Sequence, residues 1–285
     1  MKIAIIGSTG LLGSAIKRYL KDLNIESLLL DHNSFDITDQ TQYDIFVKNG
    51  VDIVINTAAY LGVEPCEANP IDAFELNTKA VADLSRYCKN NDITLAQIST
   101  DGVFDGVDKE YDENANPRPV NMYGFTKYGA EQFVQNLCKK YYIFRIPILF
   151  GSRENKGNIF IEKMYNLYKN GKKELKIADD VISRPSYAED VAEGVVKVLI
   201  NNREFGLYHI FNGGDKASLY DFAVEFFKLK NINDIRVDRA KASEFSQNEL
   251  GVKPSSTILQ SVKSAPLRDW REAMKEYINK EDNVR

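Results

Sequence analysis

The chain reads as an α/β protein: a doubly wound parallel (Rossmann) sheet followed by a smaller C-terminal α/β region. Two observations predict this. The apolar run KIAII, Lys2 to Ile6, leads through Gly7, Ser8, Thr9, Gly10, Leu11, Leu12 and Gly13 into the helical pattern Ala15, Ile16, Tyr19, Leu20. Strand and helix patterns then alternate through the first half, as a parallel sheet covered by helices on both faces requires.

In order along the chain, strands are expected at Lys2 to Ile6, Ser27 to Leu30, Ile53 to Asn56, Leu95 to Ser99 and Ile143 to Ile146. Helices are expected from about Leu11, Asp39, Pro70 and Tyr123. After Gly151 the pattern loosens into a helix near Ile159 to Asn170, a short strand Leu175 to Ala178 and a helix Glu189 to Ile200. A strand Leu207 to Phe211 follows, then amphipathic helices at Ser218 to Lys228 and Leu267 to Ile278. The expected division is a dinucleotide-binding domain at 1–150 and a mainly substrate-binding region at 151–285, with about 188–215 returning to the main sheet. Lys280 to Arg285 are polar and expected to fray.

Bulk composition narrows the function classes. With 285 residues, 44% hydrophobic and 27% charged, the chain can bury one large core or one and a half domains. The net charge of −4 and the absence of a basic block argue against nucleic acid as a partner. No apolar run approaches the roughly 20 residues of a membrane helix, and KIAIIG is too short for a signal peptide. Cys66, Cys88 and Cys138 are scattered without a C-x-x-C, which points to a reducing cytoplasm. His32 and His209 are the only histidines, so no metal site is assigned, and no G-x-S-x-G elbow supports a hydrolase.

The glycine loop carries the first chemical signal. Gly7 permits a tight turn, Gly10 lets the backbone approach a pyrophosphate, and Gly13 lets the helix pack close to the strand. The helix N-terminus then faces the phosphates. Three glycines joining a strand to a helix are a weak signal alone, but an acid, Asp31, closes the next strand as this fingerprint requires. Asp31 is placed to accept both hydroxyls of an adenosine ribose and to repel a 2′-phosphate. NAD is therefore favoured over NADP, since His32 and Asn33 offer no cation in its place.

A second constellation lies at Ser99, Thr100, Asp101, Tyr123 and Lys127. Tyr123 and Lys127 are four apart and share one helix face. An ammonium near a phenol lowers a pKa that is otherwise about 10, and such a phenol can pass a proton near neutral pH. Thr100 can donate a hydrogen bond to the same reacting oxygen. Tyr and Lys pairs of this spacing also abound on solvated faces. Here Gly7, Asp31, the run Asn56, Thr57, Ala58, Ala59, Tyr60, and Thr100 all fall at strand carboxyl ends, where such sheets bind ligands.

These residues resemble the extended short-chain dehydrogenase/reductase family, and within it the dTDP-4-dehydrorhamnose reductases. The motifs are GSTGLLG (7–13), NTAAY (56–60), LNTKAV (76–81), ISTDGVFDG (98–106), MYGFTKYGAE (122–131) and RIPILFG (145–151), with fainter echoes at 183–192, 206–214 and 253–259. The resemblance implies Thr100, Tyr123 and Lys127 as the catalytic set, Lys127 and Tyr123 also meeting the cofactor. It implies Gly10, Leu11 and Leu12 at the pyrophosphate within a loop completed by Gly7, Thr9 and Gly13. It implies Asp31 at the ribose, Asp36 and Ile37 at the adenine, and Ala58, Ala59 and Tyr60 beside the cofactor. Asp101 would lie beside the sugar with Thr100, Tyr123 and Ile148, and Arg184 and Lys253 towards the nucleotide phosphates.

Three departures touch the substrate pocket and spare the catalytic set. Gly102 stands where the family carries a tyrosine and Ile148 where the rhamnose reductases carry a tryptophan. Lys253 precedes Pro254 in place of an arginine, a point charge in place of a planar fork. The activity implied is NAD(P)H-dependent reduction of the 4-keto group of a nucleotide-linked deoxy sugar, in surface-polysaccharide precursor synthesis, by a homodimer. Two alternatives share the fold: a 4-epimerase that retains NAD, and a non-catalytic regulatory subunit of methionine adenosyltransferase. A dehydratase fits less well, because that branch carries an acidic pair after the threonine and here Asp101 is followed by Gly102.

The remaining candidates take plainer readings. Glu64 and Glu67 are solvated loop acids before they are sugar ligands. Cys66 is a stray small residue, Trp270 is core, and Asp112 and Glu113 solvate a loop.

Overall fold

The computed structural model describes residues 1–108, 110–152, 159–245 and 251–283. The first half runs β1 (Lys2–Ile6), α1 (Leu11–Asp22), β2 (Glu26–Leu30), α2 (Asp44–Lys48), β3 (Ile53–Asn56), α3 (Val63–Ala68), α4 (Pro70–Phe74), α5 (Ala80–Asn90), β4 (Thr94–Thr100), α6 (Met122–Leu137) and β5 (Tyr141–Ile146). The second half runs β6 (Leu149–Phe150), α7 (Phe160–Lys169), β7 (Glu174–Ala178), β8 (Ile182–Ser183), β9 (Ser186–Tyr187), α8 (Ala188–Ile200) and β10 (Gly206–His209). It closes with β11 (Asn212–Gly213), β12 (Ala217–Ser218), α9 (Leu219–Leu229), β13 (Arg236–Ala240), β14 (Leu267–Asp269) and α10 (Trp270–Asn283).

Six of these strands form a parallel sheet in the order β10-β5-β4-β3-β1-β2. The order reverses between β1 and β3, so a crevice opens at the carboxyl ends of those two strands. Successive side chains of a strand point to opposite faces, and both faces of this sheet are covered. Ile3 and Ile5 pack with α1 and α8, and Ala4 and Ile6 with α5 and the Phe46 side of the sheet. That is why KIAII is apolar throughout instead of alternating. A separate core gathers Phe150, Phe222, Phe226 and Trp270 around the parallel pair β7 and β13. Between the two cores, α8 packs with the α1 face and β10 joins the sheet beside β5.

The elements differ from the sequence reading in five main places, one of them strand β13, which pairs with β7 and was not expected. The segment after Tyr60 was expected as loop and holds helix α3. The helix from Pro70 passes through a π turn at Glu75–Lys79 before continuing as α5; such turns recur at functional sites. The pattern from Asp39 resolves into a 3-10 turn at Gln40–Gln42, capped by the Asp39 carboxylate on the Thr41 N–H at 3.0 Å, and then α2. The last helix begins at Trp270, not Leu267, and continues to Asn283 instead of fraying from Lys280, because Lys280 pairs with Glu276 at 2.7 Å and Asp282 with Lys230 at 2.5 Å. Residues 284 and 285 of that polar tail lie outside the described residues.

Candidate active site

The glycine loop is built by close backbone approach. Gly7 has φ +80°, a left-handed conformation, and its N–H donates to the Leu30 carbonyl at 2.8 Å. A Cβ on Gly13 would sit 2.2 Å from the Gly7 carbonyl oxygen, so α1 can start this close to β1 only with glycine there. Gly10 is the N-cap residue of α1 and brings no side-chain acceptor, which leaves the first-turn N–H groups to an anion. Gly10, Leu11 and Gly13 face a cleft of about 710 Å³ that continues past Thr100, Tyr123 and Lys127, within the range of small-molecule sites. This cradle suits a dinucleotide pyrophosphate.

Asp31 closes β2 and caps its own turn. Its Oδ1 accepts the N–H of Asn33 at 3.1 Å, the N–H of Ser34 at 3.0 Å and the Ser34 hydroxyl at 2.9 Å. The Ser34 hydroxyl first, then the two N–H groups, hold its carboxyl below the usual range and ionised. Asp36 likewise accepts the Thr38 hydroxyl and N–H at 2.7 and 2.8 Å. Ile37, expected at the adenine, has its side chain in the core with Phe35 and Tyr43, which leaves only its backbone for that contact.

The Ala58 to Tyr60 loop is pinned by a residue that carried no individual role in the sequence reading. Asn77, buried within the π turn, accepts the Tyr60 N–H at 2.7 Å and donates to the Tyr60 carbonyl at 3.0 Å and to Thr126 Oγ1 at 3.1 Å. It thereby ties the loop to α6. Only its place in the LNTKAV motif signalled it.

Tyr123, Lys127 and Glu131 follow one face of α6 at successive turns. Lys127 is 3% exposed and its Nζ donates to the Ile98 carbonyl at 2.6 Å. Burial draws its ammonium down to about 8, and the Glu131 carboxylate acts in the opposite direction. Burial pushes the Tyr123 phenol up, the Thr100 hydroxyl opposes this and the Asp101 charge adds to it. The lowering of the phenol expected from Lys127 is not found: desolvation dominates, and the one opposing contribution comes from Thr100.

Glu131 is fully buried and clamped by Arg145, Nε to Oε1 at 2.9 Å and Nη2 to Oε2 at 2.6 Å. The Ser99 hydroxyl donates to the same carboxylate. Continuing the spacing of Tyr123 and Lys127 by four residues would have found it.

Asp101 lies at the cleft but spends its oxygens inside the protein. Oδ1 accepts the Thr100 hydroxyl at 3.1 Å, and Oδ2 accepts Ser183 Oγ at 3.0 Å and Thr257 Oγ1 at 2.6 Å. Gly102, Ile148 and Lys253 face the cleft. Arg184 does not line the cleft, although Ser183 and Pro185 on either side of it do. Its Nη1 donates to the Gly214 carbonyl at 3.0 Å and its guanidinium lies 5.5 Å from the Phe211 ring centroid. A cation so engaged is turned from the phosphates the sequence reading gave it.

Two plainer readings also change. Glu67 lies on α3 and accepts the Met122 N–H at 2.8 Å, at the start of the catalytic helix. Glu113 accepts the His209 N–H, the Ser261 hydroxyl and the Val262 N–H at 3.0, 2.6 and 2.9 Å, so it organises a buried junction instead of solvating a loop. Glu64 remains exposed at the cleft, and Cys66 and Trp270 are buried. Among the described residues no helix is long and apolar enough to cross a membrane.

Comparison with known proteins agrees with this geometry. The family model described as the RmlD substrate binding domain matches residues 1–283. A dTDP-4-dehydrorhamnose reductase of Mycolicibacterium smegmatis is 31% identical over 284 residues, covering 97% of this chain and 85% of that protein. The crystal structure of a dTDP-4-dehydrorhamnose reductase from Clostridium acetobutylicum superposes with a TM-score of 0.91 at 34% identity, covering 99% of this chain and 100% of that one. A second, from Bacillus anthracis in complex with NADP, gives 0.90 at 29% identity, covering 98% and 99%.

Proposed function

The chain belongs to the family of the RmlD substrate binding domain, and from that premise we propose that it reduces the 4-keto group of a dTDP-linked 6-deoxy sugar with a reduced nicotinamide dinucleotide. It is an oxidoreductase of sugar-nucleotide biosynthesis, like the reductases it resembles. One observation carries the mechanism: Thr100, Tyr123 and Lys127 converge on the same cleft as the glycine cradle.

When bound, the dinucleotide supplies hydride to the ketone carbon. The residues of the chain manage the oxygen. Tyr123, its phenol pushed up by burial, stays protonated at neutral pH and gives its proton to the oxygen that gains the carbonyl electron pair. Reduction needs the phenol as an acid, so desolvation favours this direction. Thr100 donates to the same oxygen once its hydroxyl swings away from Asp101, its acceptor in the substrate-free protein. Lys127, one helical turn along α6 from Tyr123 and anchored on the Ile98 carbonyl, supplies a positive charge for the phenolate left behind.

The ionised Asp31 carboxylate supports NADH over NADPH, since a 2′-phosphate beside it would be repelled. Lys253, exposed at the cleft, supplies a cation for the sugar-nucleotide phosphates. Gly102 supports a sugar bulkier or differently configured than the rhamnose precursor, because it lines the cleft and brings no side chain to it. Exposed Phe125 and Phe133 on α6 support a homodimer, and three buried free thiols support the cytoplasm. Neither a 4-epimerase that retains NAD nor a regulatory subunit is favoured by the family membership.

The test is a panel of nucleotide-linked 4-keto sugars, each with NADH and NADPH, followed by loss of reduced-nicotinamide absorbance. Stoichiometric consumption is expected. A tightly copurifying dinucleotide that is never consumed would establish the epimerase instead.

A further inference from the structure

We propose that Asp101 is a positioning residue: it latches the C-terminal side of the cleft to the catalytic strand and sets the orientation of the Thr100 hydroxyl. Three elements meet on this carboxylate. Thr100 ends β4, Ser183 ends β8, and Thr257 lies in a segment that runs beside β8, its N–H donating to the Ile182 carbonyl at 3.0 Å while the Ile182 N–H donates to Ser255 O at 2.8 Å. The loop that carries Asp101 is stitched to that segment again a few residues on. Ser255 Oγ donates to the Gly106 carbonyl at 3.0 Å, and Gly106, at φ +78°, comes so close that a Cβ there would sit 2.7 Å from the Ser255 nitrogen.

An ionised carboxylate only accepts hydrogen bonds. Each of the three hydroxyls must therefore aim its one proton at Asp101. For Thr100 this leaves only lone pairs for other partners, and one of them takes the Gly102 N–H at 3.0 Å. The hydroxyl is fixed before substrate arrives and re-aims only by releasing Asp101. The groups facing Asp101 are these hydroxyls and, from α6, the Tyr123 phenol. Among the described residues none of its hydrogen-bond partners is a cation, so its burial at 9% exposure rests on the three hydroxyls and its own backbone N–H. A buried charge held this way is costly as plain adhesive. The charge has an effect a neutral side chain lacks, because only the ionised form orients all three protons inward. Burial raises its pKa against those three bonds, so the closed latch takes up a proton more readily than an Asp101 opened to water, and closure is favoured as pH falls.

The role in turnover rests on the reductase reading above; the latch itself does not. Amide hydrogen exchange of 182–183 and 255–258 in the free protein, corrected for intrinsic rates, tests the latch between about pH 5 and pH 8. Wild-type protection should rise towards the acid end, because the closed form binds the proton more tightly. Thr257→Val, which keeps the shape and removes a donor to the ionised form, should lose protection most at the alkaline end, and Asp101→Asn, which cannot titrate, should show the same protection at every pH. Equal, pH-independent protection in wild type and Asp101→Asn would overturn the latch.

Kinetics tests the positioning role. Thr257→Val should lower kcat about tenfold, move its acid limb to higher pH and leave dinucleotide affinity within about twofold. A raised KM with kcat and pH profile unchanged would make Thr257 a substrate contact and overturn the role in turnover. Were no keto sugar reduced by the wild type, the reductase reading would fall and the exchange experiment alone would decide the latch.

Discussion

Lys127 Nζ donates to the Ile98 carbonyl at 2.6 Å, which moors the charge of α6 to the strand that carries Thr100. The bond fixes where that charge sits. Burial at 3% exposure fixes how long it survives as pH rises, because desolvation brings the ammonium down to about 8. Below that value the group is charged, and above it the charge is lost. The rate of kcat/KM should therefore decline on the alkaline side with an apparent pKa of about 8, well before free lysine titrates. Lys127→Arg, charged at all these pH values, should lower activity but flatten the alkaline limb. A limb of unchanged position in that variant would assign it to another group.

Removing the phenolic oxygen should remove the proton donor and little else. Tyr123→Phe is expected to lower kcat by roughly 10²- to 10⁴-fold, the usual weight of positioned acid catalysis, with dinucleotide affinity by fluorescence titration near the wild-type value. Wild-type turnover in that variant would dismiss Tyr123 as the acid.

Cofactor preference should follow the charge of Asp31. Asp31→Ala removes the repulsion of a 2′-phosphate, so the ratio of kcat/KM for NADPH over that for NADH should rise. The size of the rise measures the bias. A ratio indifferent to the change would mean that the ribose is read elsewhere.

Two glycines should respond oppositely to one added methyl. Gly13→Ala would force a Cβ to 2.2 Å from the Gly7 oxygen, so α1 must retreat from β1. Stability should fall by about 2 kcal/mol or more and dinucleotide binding should weaken. In Gly102→Ala the nearest atoms are Thr100 Oγ1 at 3.4 Å and Tyr123 Cδ1 at 3.7 Å, ordinary contact. That variant should fold as the wild type and discriminate more sharply against bulky keto sugars. Denaturant melts and the sugar panel read both.

Acid should destabilise the fold through His209. Its ring, 1% exposed and beside Arg145, has its pKa lowered by burial first and Arg145 second, to about 4 from 6.5. Between these values the unfolded chain binds the proton and the native protein does not. Stability is therefore complete above about pH 6.5 and is lost as pH falls towards 4, at about 1.4 kcal/mol per pH unit. His209→Gln should flatten this slope in urea melts from pH 7 to about 4.5. An unchanged slope would move the acid sensitivity to other groups, Glu113 first among them.

Much of the frame was legible in the chain because it is locally encoded. KIAII, the glycine spacing and the alternation of periods lie in contiguous residues, and strand and helix periods follow from backbone geometry alone. Helix α3 escaped because its six residues contain Pro65 and show little apolar periodicity. The π turn escaped because a single extra residue shifts phase without leaving a compositional mark. Lys127 could be read as four residues from Tyr123, but not that burial would decide both groups' proton affinities.

The sequence by itself determined the sheet, the cradle and the residues of the reacting edge, since each is written in neighbours a few positions apart. Tertiary structure alone decided that Asp101 would close on Ser183 and Thr257, 82 and 156 positions away, that Arg184 would turn to Gly214, and that Glu131 would be held by Arg145. A carboxylate or guanidinium has no preferred partner along the chain. Its partner is whichever donor or acceptor the folded backbone brings within about 3 Å once water has been excluded.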